Sequence, residues 1–295
     1  MGVTIRQIPT VFAGEVSGID LSRPISRADA DAIDEGMNRF AVLVFHGQNI
    51  TDEEQIAFSK SLGPLEAKSR PGTIRKREDN RLGPGMGDLS NLDKHGRIIP
   101  ADDRQWFFKL GDRLWHSDSS YHEVPAKYSL LSGRVLPSWG GNTEFADMRA
   151  AYDALDARTK AEIEDLVCEH SLLYSRGAIG FTEFTPEEIA NFRPVRQRLV
   201  RVHPGSGRKS LFLSSHAGAI VGWSIPEARA FLRELTEHAT QREFVYSHPW
   251  KQYDLVIWDN RATMHRACRF DRNEVRDMRR TTLAGDGPTV AQAAA

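Results

Sequence analysis

Two residues near the middle of the chain could bind a metal ion. His116 and Asp118 are two positions apart in the sequence Trp115-His116-Ser117-Asp118. Because residues i and i+2 of a strand point to the same face, the imidazole and the carboxylate would be aimed at one point. A solvated polar strand end can carry the same pair, so a metal site requires a third ligand from elsewhere in the chain.

His265 is the best candidate for that third ligand. It follows the apolar run Leu255–Trp258, which predicts a buried strand ending in a turn. Two histidines and one carboxylate on one face of a metal leave three coordination positions open, as in non-haem Fe(II) oxygenases, where a cosubstrate and O2 must both bind. The same ligand types serve zinc hydrolases, so the triad alone leaves both hypotheses open.

Two arginines in the C-terminal part of the chain favour the oxygenase. Arg276 and Arg280 are four residues apart, which places them near one another on a helix face or on a strand. A guanidinium binds a carboxylate through two parallel hydrogen bonds. The cosubstrate 2-oxoglutarate has a carboxylate far from the metal, and Thr143 could supply a hydroxyl beside the arginine. The competing interpretation is a solvated basic patch, because further arginines lie in the same segment.

The elements that must position these residues are short strands with helices clustered between them. Apolar, β-branched or aromatic runs bounded by Gly, Pro and Asp predict the strands. They do not alternate regularly with helices, which favours a mostly β fold with helical cover, a sandwich or jelly roll, over a doubly wound parallel sheet. The predicted strands are Ala41–Phe45, Tyr128–Val135, Asn142–Phe145, Leu199–Val202, Ser210–Leu213, Phe244–Tyr246, Leu255–Trp258 and Thr281–Leu283.

Capping sequences mark the starts of four helices. Thr51 opens a capping box with Glu54, and Thr185 precedes a proline and two glutamates. Ser224 begins a similar sequence and opens a helix to about His238. A fourth helix is predicted from a cap at Asp147 through Leu155.

One domain over residues 1–295 is the economical prediction, since no repeat or linker divides the chain. The stretch from about 69 to 104 is rich in Gly, Arg, Asp and Pro and has little periodicity, which predicts a lid or excursion from the core. The residues after Gly285 are predicted to form a frayed tail.

The composition excludes several classes of protein. The 295 residues carry 39 Lys+Arg against 40 Asp+Glu, a net charge of −1, so nothing favours a nucleic-acid or anionic-membrane partner. No apolar run approaches the roughly 20 residues of a membrane-spanning helix. The start of the chain has no secretory signal, and Cys168 and Cys268 are too few for a disulfide scaffold, which predicts a cytoplasmic protein. The oligomeric state stays open, a homo-oligomer included.

Taken in order, the motifs resemble the taurine dioxygenase/TfdA family of Fe(II)/2-oxoglutarate-dependent dioxygenases. The resemblance extends over nearly the whole chain. It is carried by Trp115-His116-Ser117-Asp118, Gly140-Gly141-Asn142-Thr143, Trp258-Asp259-Asn260-Arg261, His265, Arg276 and Arg280. The stretches most similar to the 2,4-dichlorophenoxyacetate dioxygenase branch are Leu114–Ser120, Thr143–Leu155, His203–Lys209 and His238–Tyr246.

The resemblance implies a double-stranded β-helix, or jelly roll, with Fe(II), 2-oxoglutarate and O2 as the reacting partners. His116, Asp118 and His265 would hold the iron. Thr143 and Arg276 would bind the distal carboxylate of 2-oxoglutarate.

The resemblance also implies a small anionic, aromatic substrate. Trp258 would pack near the cosubstrate, Arg280 would face the substrate anion, and His216 is a weaker candidate for the substrate pocket. The implied reaction hydroxylates an aryloxyacetate such as 2,4-dichlorophenoxyacetate. Its ether is then cleaved to a phenol and glyoxylate, with release of succinate and CO2.

Two positions depart from the family pattern. Asn142 stands where the family often has Asp, which leaves the neighbouring hydroxyl in place. Asp112 stands four residues before His116, where taurine-type and TfdA-type members commonly have Asn. A carboxylate would repel an anionic head group, so Asp112 argues against a taurine-like sulfonate. The alternatives are the same chemistry on taurine, an alkylsulfonate, a sulfate ester or another carboxylate, a zinc hydrolase, and a non-catalytic binding module.

Overall fold

β-strands outnumber helices in the computed structural model, which describes residues 2–9, 12–67 and 70–290. Its strands are β1 Thr4–Gln7, β2 Gly14–Ser17, β3 Val42–Phe45, β4 Gly87–Asp88, β5 Tyr128–Val135, β6 Thr143–Asp147, β7 Val167–His170, β8 Val195–Arg198, β9 Val200–Val202, β10 Lys209–Leu211, β11 Ala217–Ile220, β12 Val245–His248, β13 Leu255–Asp259, β14 Thr263–Ala267 and β15 Asp277–Thr282.

Helices cover the strands from outside. They are α1 Arg27–Phe40, α2 Asp52–Leu62, α3 Arg104–Lys109, α4 Met148–Asp153, α5 Ala157–Ile163, α6 Leu172–Ala178, α7 Pro186–Asn191 and α8 Ile225–Ala239, with short 3-10 turns at 77–79, 110–113 and 242–244. None of the helices in the described ranges is long and apolar enough to cross a membrane.

Seven strands form the largest sheet, in the order β1-β2-β3-β13-β5-β15-β4. A second sheet has the order β12-β6-β14, a third β11-β7-β8, and β9 pairs with β10. All of these pairings are antiparallel except that of β2 with β3. The fold is therefore strand-rich with helical cover, as predicted.

The core lies between the largest sheet and the sheet formed by β12, β6 and β14. Val256 and Trp258 of β13 meet Phe145 of β6 and Tyr246 of β12 in one buried cluster. On the opposite face of the largest sheet, a second apolar cluster packs α1 and α2 against β3, β5 and β13. The β6 strand is thus held in place by this core and by its two neighbouring strands, β12 and β14.

Several elements begin where their capping residues predict. The side chains of Thr51, Thr185 and Ser224 accept backbone hydrogen bonds at the starts of α2, α7 and α8. The helix capped by Asp147 ends at Asp153, two residues earlier than predicted.

The last strand differs most from its prediction, because β15 begins at Asp277, four residues before the predicted start. Its charged residues hid it, since a strand with Asp and Arg on its surface does not look apolar. In the structure Asp277 pairs with Arg81 at 2.6 Å, and Arg279 pairs with Asp52 at 2.8 Å. These ion pairs replace the apolar contacts that strand prediction relies on.

Both irregular segments are more structured than the sequence suggested. Of the expected lid at 69–104, residue 69 lies outside the described residues, and the rest contains β4 and a 3-10 turn. In the expected tail, Asp286 pairs with Arg261 at 2.9 Å, and the Thr289 hydroxyl accepts from the Arg198 backbone at 3.0 Å. Residues 291–295 lie outside the described residues, and the predicted frayed tail stays a prediction.

A buried histidine makes the fold sensitive to acid. His170 of β7 is stacked on Phe212 with ring centroids 5.7 Å apart, and neither ring nitrogen has a hydrogen-bond partner among the described residues. Burial lowers the pKa of His170 from 6.5 to about 3. Between these values the unfolded chain binds a proton that the folded chain does not, so stability falls as the pH drops through this window.

We expect His170→Phe to remove this acid sensitivity. We expect urea unfolding to show that, from pH 7 to pH 5, the free energy of unfolding of the wild type falls by up to about 2 kcal/mol more than that of the variant. His95→Phe, which changes an exposed histidine, is the control and should behave as the wild type. Equal losses in the wild type and His170→Phe would contradict the prediction.

Candidate active site

Strand pairing brings the three predicted metal ligands together. His265 lies on β14, which follows the turn after β13, and it forms an antiparallel bridge with His116. Each residue donates its backbone N–H to the carbonyl of the other, at 2.9 and 2.8 Å. Nitrogens of both rings and an oxygen of Asp118 lie within 4.8 Å of one another, and all three residues are buried.

Hydrogen bonding orients the ligand atoms. His116 Nδ1 lies 2.7 Å from the Leu114 carbonyl, which can only accept, so Nδ1 carries the proton and Nε2 presents a lone pair. Asp118 Oδ1 lies 4.0 Å from His116 Nε2, and Asp118 Oδ2 lies 3.8 Å from His265 Nε2. The three side chains thus surround one position where a metal ion could bind.

The surroundings set the protonation states of the cluster. Burial alone would raise the pKa of Asp118, but the charge of Arg280 holds it well below its usual range. Burial and the nearby His116 hold the pKa of His265 well below its usual value. Asp118 is therefore ionised and His265 neutral near pH 7, as metal ligands must be.

This donor set fits a divalent transition metal ion. Two imidazole nitrogens and one carboxylate oxygen converge at the wall of a cavity of about 1340 Å³. Three protein ligands leave coordination positions open toward that cavity, which is the arrangement of a catalytic metal site rather than a closed structural one.

All eight predicted site residues line this one cavity. They come from separate parts of the chain and from both central sheets. They are His116, Asp118, Thr143, His216, Trp258, His265, Arg276 and Arg280.

Arg276 is a buried cation without a carboxylate partner among the described residues. Its Nη1 donates to the Leu89 carbonyl at 3.1 Å, its guanidinium lies over the Phe270 ring at 5.3 Å, and its Nε has no acceptor. Burial lowers the pKa of Arg276 to about 10, and the group stays charged at pH 7. Because an uncompensated buried charge is costly, this guanidinium is suited to an anionic ligand.

The Gly140-Gly141 turn brings Thr143 into the same wall. Gly140 and Gly141 have φ values of 72° and 81°, a backbone region that residues other than glycine rarely adopt. A Cβ on Gly140 would lie 2.2 Å from the Arg269 carbonyl oxygen, and one on Gly141 would lie 3.6 Å from Arg276 Nε. The two glycines therefore let Thr143 begin β6 close to the arginine.

Trp258 packs against the metal cluster. Its ring centroid lies 4.6 Å from that of His265, and its indole N–H donates to Asn260 Oδ1 at 3.0 Å. The same oxygen accepts from the backbone N–H of Asp118 at 3.0 Å, and Asn260 Nδ2 donates to Ser129, whose hydroxyl donates to Asp118. Asn260 thus joins Trp258 to the carboxylate of the candidate metal ligand Asp118, a role the sequence motif did not suggest.

The family model described as "Taurine catabolism dioxygenase TauD, TfdA family" matches residues 4–282. The chain belongs to the TauD/TfdA family. This confirms the predicted family and enzyme class, since the family consists of non-haem iron oxidoreductases.

Characterised relatives of this TauD/TfdA-family chain share its full length. The alpha-ketoglutarate-dependent 2,4-dichlorophenoxyacetate dioxygenase of Cupriavidus pinatubonensis is 41% identical, over 97% of this chain and 99% of that one. The (S)-phenoxypropionate/alpha-ketoglutarate-dioxygenase of Sphingobium herbicidovorans is 37% identical, over 96% of this chain and 95% of that one.

A solved structure is more similar still. The crystal structure of AAD-2 in complex with Mn(II) and N-oxalylglycine matches with a TM-score of 0.96 and 59% identity, over 98% of this chain and 100% of that one. N-oxalylglycine is an analogue of 2-oxoglutarate. These relatives confirm the predicted combination of a metal ion and 2-oxoglutarate for this class of enzyme.

Arg280 lies in the cavity wall of this TauD/TfdA-family chain but is not free. The sequence predicted that it faces the substrate anion, whereas in the structure its Nη1 donates to Asp118 Oδ1 at 2.5 Å. Burial alone would lower the pKa of Arg280, but Asp118 raises it. Arg280 thus keeps its charge beside the metal cluster, and its role toward a substrate stays a proposal.

His216 lies on another side of the metal cluster. Its ring packs edge-on against that of His116 at 5.8 Å, and its Nδ1 lies 2.9 Å from the Ser175 hydroxyl. Burial and Arg176 hold the pKa of His216 well below its usual value. The ring is therefore neutral near pH 7 and can serve a substrate as a hydrogen-bonding partner rather than as a cation.

Asp112 is not an isolated negative charge in the cavity. Its Oδ1 accepts from Arg176 Nη2 at 3.0 Å, and the Arg176 guanidinium lies over the Phe108 ring at 4.4 Å. The repulsion that the sequence predicted between Asp112 and a substrate anion is therefore offset by its arginine partner.

Part of the expected lid builds the arginine side of the site. Asn91 Oδ1 accepts from the Arg276 backbone N–H at 2.9 Å, and its Nδ2 donates to the carbonyls of Arg272 and Glu274 at 3.1 and 2.8 Å. The Leu89 carbonyl contacts the guanidinium itself. The sequence assigned no role to Asn91, because an asparagine in a Gly- and Asp-rich loop indicates only a turn.

Basic side chains anchor this 88–91 segment from its other side. Arg75 and Arg81 donate to Asp88 at 2.8 and 3.0 Å, and the half-buried Lys109 donates to a backbone carbonyl of the segment at 2.6 Å. Burial alone would raise the pKa of Asp88, but its hydrogen bonds with Arg81 and a serine hold it well below its usual range. The segment is thus held in place between these cations and the site arginine.

Proposed function

We propose that this TauD/TfdA-family enzyme hydroxylates an aryloxyacetate such as 2,4-dichlorophenoxyacetate at the carbon between the ether oxygen and the carboxylate. One atom of O2 enters that C–H bond. The other enters 2-oxoglutarate, which loses CO2 and becomes succinate. The hydroxylated product is a hemiacetal, which collapses to a phenol and glyoxylate.

The observation that carries this proposal is the shared cavity of the triad and Arg276. A buried guanidinium with an unused Nε and an open metal face in the same cavity fit the two ends of one 2-oxo dicarboxylate. A zinc hydrolase or a binding module has no need of that combination.

Each site residue has a proposed task. His116, Asp118 and His265 hold Fe(II), which supplies the activation of O2 when it is bound. Thr143 and Arg276 hold the distal carboxylate of 2-oxoglutarate and so fix its orientation.

The remaining site residues orient the ligands. Trp258 keeps the His265 ring in place and packs near the cosubstrate. Arg280 faces the metal-binding carboxylate on one side and the anionic group of the substrate on the other. His216 offers a neutral hydrogen-bonding partner to the substrate.

An aromatic wall supports an aryl substrate. Phe108, Leu172 and Phe192 belong to one apolar cluster and line the cavity, and Ile74 and Tyr121 pack against that cluster and line it as well. Aromatic rings favour offset or edge-to-face packing against such side chains. The cavity therefore offers an apolar wall for a ring and basic side chains for carboxylates.

The named relatives support the same substrate class. Those at 41% and 37% identity are named for 2,4-dichlorophenoxyacetate and (S)-phenoxypropionate, which are both aryloxy acids. Sulfonates, sulfate esters and other carboxylates remain the alternative substrates for the same chemistry. We further propose that the strand-rich fold is a double-stranded β-helix and that residues 1–295 form one domain. The cytoplasmic location stays a prediction.

Succinate and phenol measured in one vial test this function. Fe(II)-loaded protein is given 2-oxoglutarate and O2, with 2,4-dichlorophenoxyacetate, with taurine, or with neither. We expect succinate to rise on addition of the aryloxyacetate and phenol to appear in near-equal amount. Slow succinate without phenol would reject the substrate, and absence of both products with iron bound would reject the activity.

A further inference from the structure

We propose that Trp250 is a positioning residue for 2-oxoglutarate, because its indole N–H sets the direction in which the Thr143 hydroxyl donates. This inference rests on the proposed function of Thr143. It adds a residue that neither the motif pattern nor the names of the relatives assign.

The geometry leaves the hydroxyl one useful orientation. Trp250 Nε1 donates to Thr143 Oγ1 at 3.0 Å. An indole nitrogen only donates, so Thr143 must accept in this contact and cannot turn its own hydrogen toward the ring. Within the described part of the chain, no acceptor receives that hydrogen, and Thr143 is only 3% exposed. The hydrogen is therefore reserved for a ligand acceptor, and a carboxylate oxygen is purely an acceptor.

The indole is held in this position by its neighbours. Its ring packs edge-on against His248 with centroids 4.8 Å apart and planes at 86°. His248 is fixed in turn by the Tyr246 hydroxyl at 2.9 Å and by Asp254 at 3.1 Å. Tyr246 and His248 lie on β12, the strand that pairs with β6, and His248 is opposite Thr143. The position of the donor is thus set by the sheet itself.

Loss of the indole donor should weaken 2-oxoglutarate binding without harming the rest of the site. In Trp250→Phe the ring remains, but the hydroxyl is free to rotate its hydrogen away from the ligand. The loss of one neutral hydrogen bond corresponds to roughly a 3- to 10-fold weaker affinity. The KM for the aryloxyacetate should stay within about 2-fold of the wild type, because the proposed function assigns Thr143 to the cosubstrate and not to the substrate.

A double-mutant cycle tests the coupling directly. Binding of 2-oxoglutarate to Mn(II)-loaded protein is measured by titration calorimetry for the wild type, Trp250→Phe, Thr143→Val and the double variant. Thr143→Val removes the hydroxyl and keeps the branched shape. We expect Trp250→Phe to weaken the affinity for 2-oxoglutarate 3- to 10-fold when Thr143 is present and less than 2-fold when Thr143 is replaced by valine.

Further variants separate this role from packing. Trp223→Phe alters a tryptophan that packs on Phe231, outside the cavity lining, and should leave affinity unchanged. The positioning role alone would be overturned if Trp250→Phe weakened 2-oxoglutarate binding equally in the wild-type and Thr143→Val backgrounds. It would also be overturned if Trp250→Phe did not weaken binding in the wild-type background. Failure of the wild type to bind 2-oxoglutarate would instead overturn the proposed function. If Trp250→Phe does not fold, binding at or near wild-type affinity by Thr143→Val would refute the inference, and a loss would support it.

Discussion

Replacement of His265 by alanine is expected to abolish iron binding and turnover together. The variant keeps two of the three ligand residues, His116 and Asp118. One oxygen of Asp118 already accepts a hydrogen bond from Arg280. Losing a residue that merely supports a metal ligand costs roughly 10- to 100-fold in affinity, so losing a ligand itself should cost more. Iron content after anaerobic loading and succinate formation are the two measurements.

The control for this experiment is a histidine outside the cavity. His238 of α8 contacts the Ala151 carbonyl through its Nε2, and His238→Ala should bind iron as the wild type does. Circular dichroism melting checks that His265→Ala is folded, because the removed ring packs on Trp258. Tight Fe(II) binding by folded His265→Ala would refute the triad.

Arg276→Lys is expected to raise the KM for 2-oxoglutarate by roughly 10- to 100-fold, because hydrogen bonds to charged groups contribute about 1.5–3 kcal/mol. The lysine keeps the positive charge but cannot reproduce a planar fork that donates to both carboxylate oxygens. It also loses the contact of the guanidinium with the Leu89 carbonyl, which holds the group in place. Initial rates of succinate formation over a range of 2-oxoglutarate concentrations give the KM.

A neighbouring arginine provides the matched control. Arg272 lies over the Trp106 ring and donates to the Ile99 carbonyl, and it is not among the residues that line the cavity. Arg272→Lys should therefore leave the KM for 2-oxoglutarate unchanged. An unchanged KM in Arg276→Lys would remove Arg276 from the cosubstrate site.

The sequence was most informative where a residue type does chemistry by itself. His116, Asp118 and His265 were chosen for their ligand types, and they share one cluster because His265 of β14 pairs with His116 through an isolated β-bridge, outside the named strands. Spacing along the chain could not show that pairing, since register is set by the whole sheet. The sequence placed His265 after a buried strand that ends in a turn, and the structure places it on β14.

Supporting residues were missed because their roles depend on contacts between distant segments. Asn260 and Trp250 are an ordinary amide and an ordinary aromatic residue until the fold places one beside Asp118 and the other beside Thr143. Local capping signals were overlooked at α3, α5 and α6, which begin after Asp103, Asp156 and Ser171, and also at α1. The N-cap of α1 is Ser26, with Asp29 three residues later, a typical start sequence for a helix.

The 88–91 segment has a consequence for the engineering and evolution of substrate range. Loop exchange among relatives is an obvious route to new substrates, because the region around 70–104 borders the cavity mouth. Asn91 and Leu89 in this region also hold Arg276, so a wholesale exchange would change cosubstrate affinity together with substrate choice. Grafts that keep 88–91 and vary the flanking residues should separate the two properties. Natural diversification of this loop should meet the same constraint.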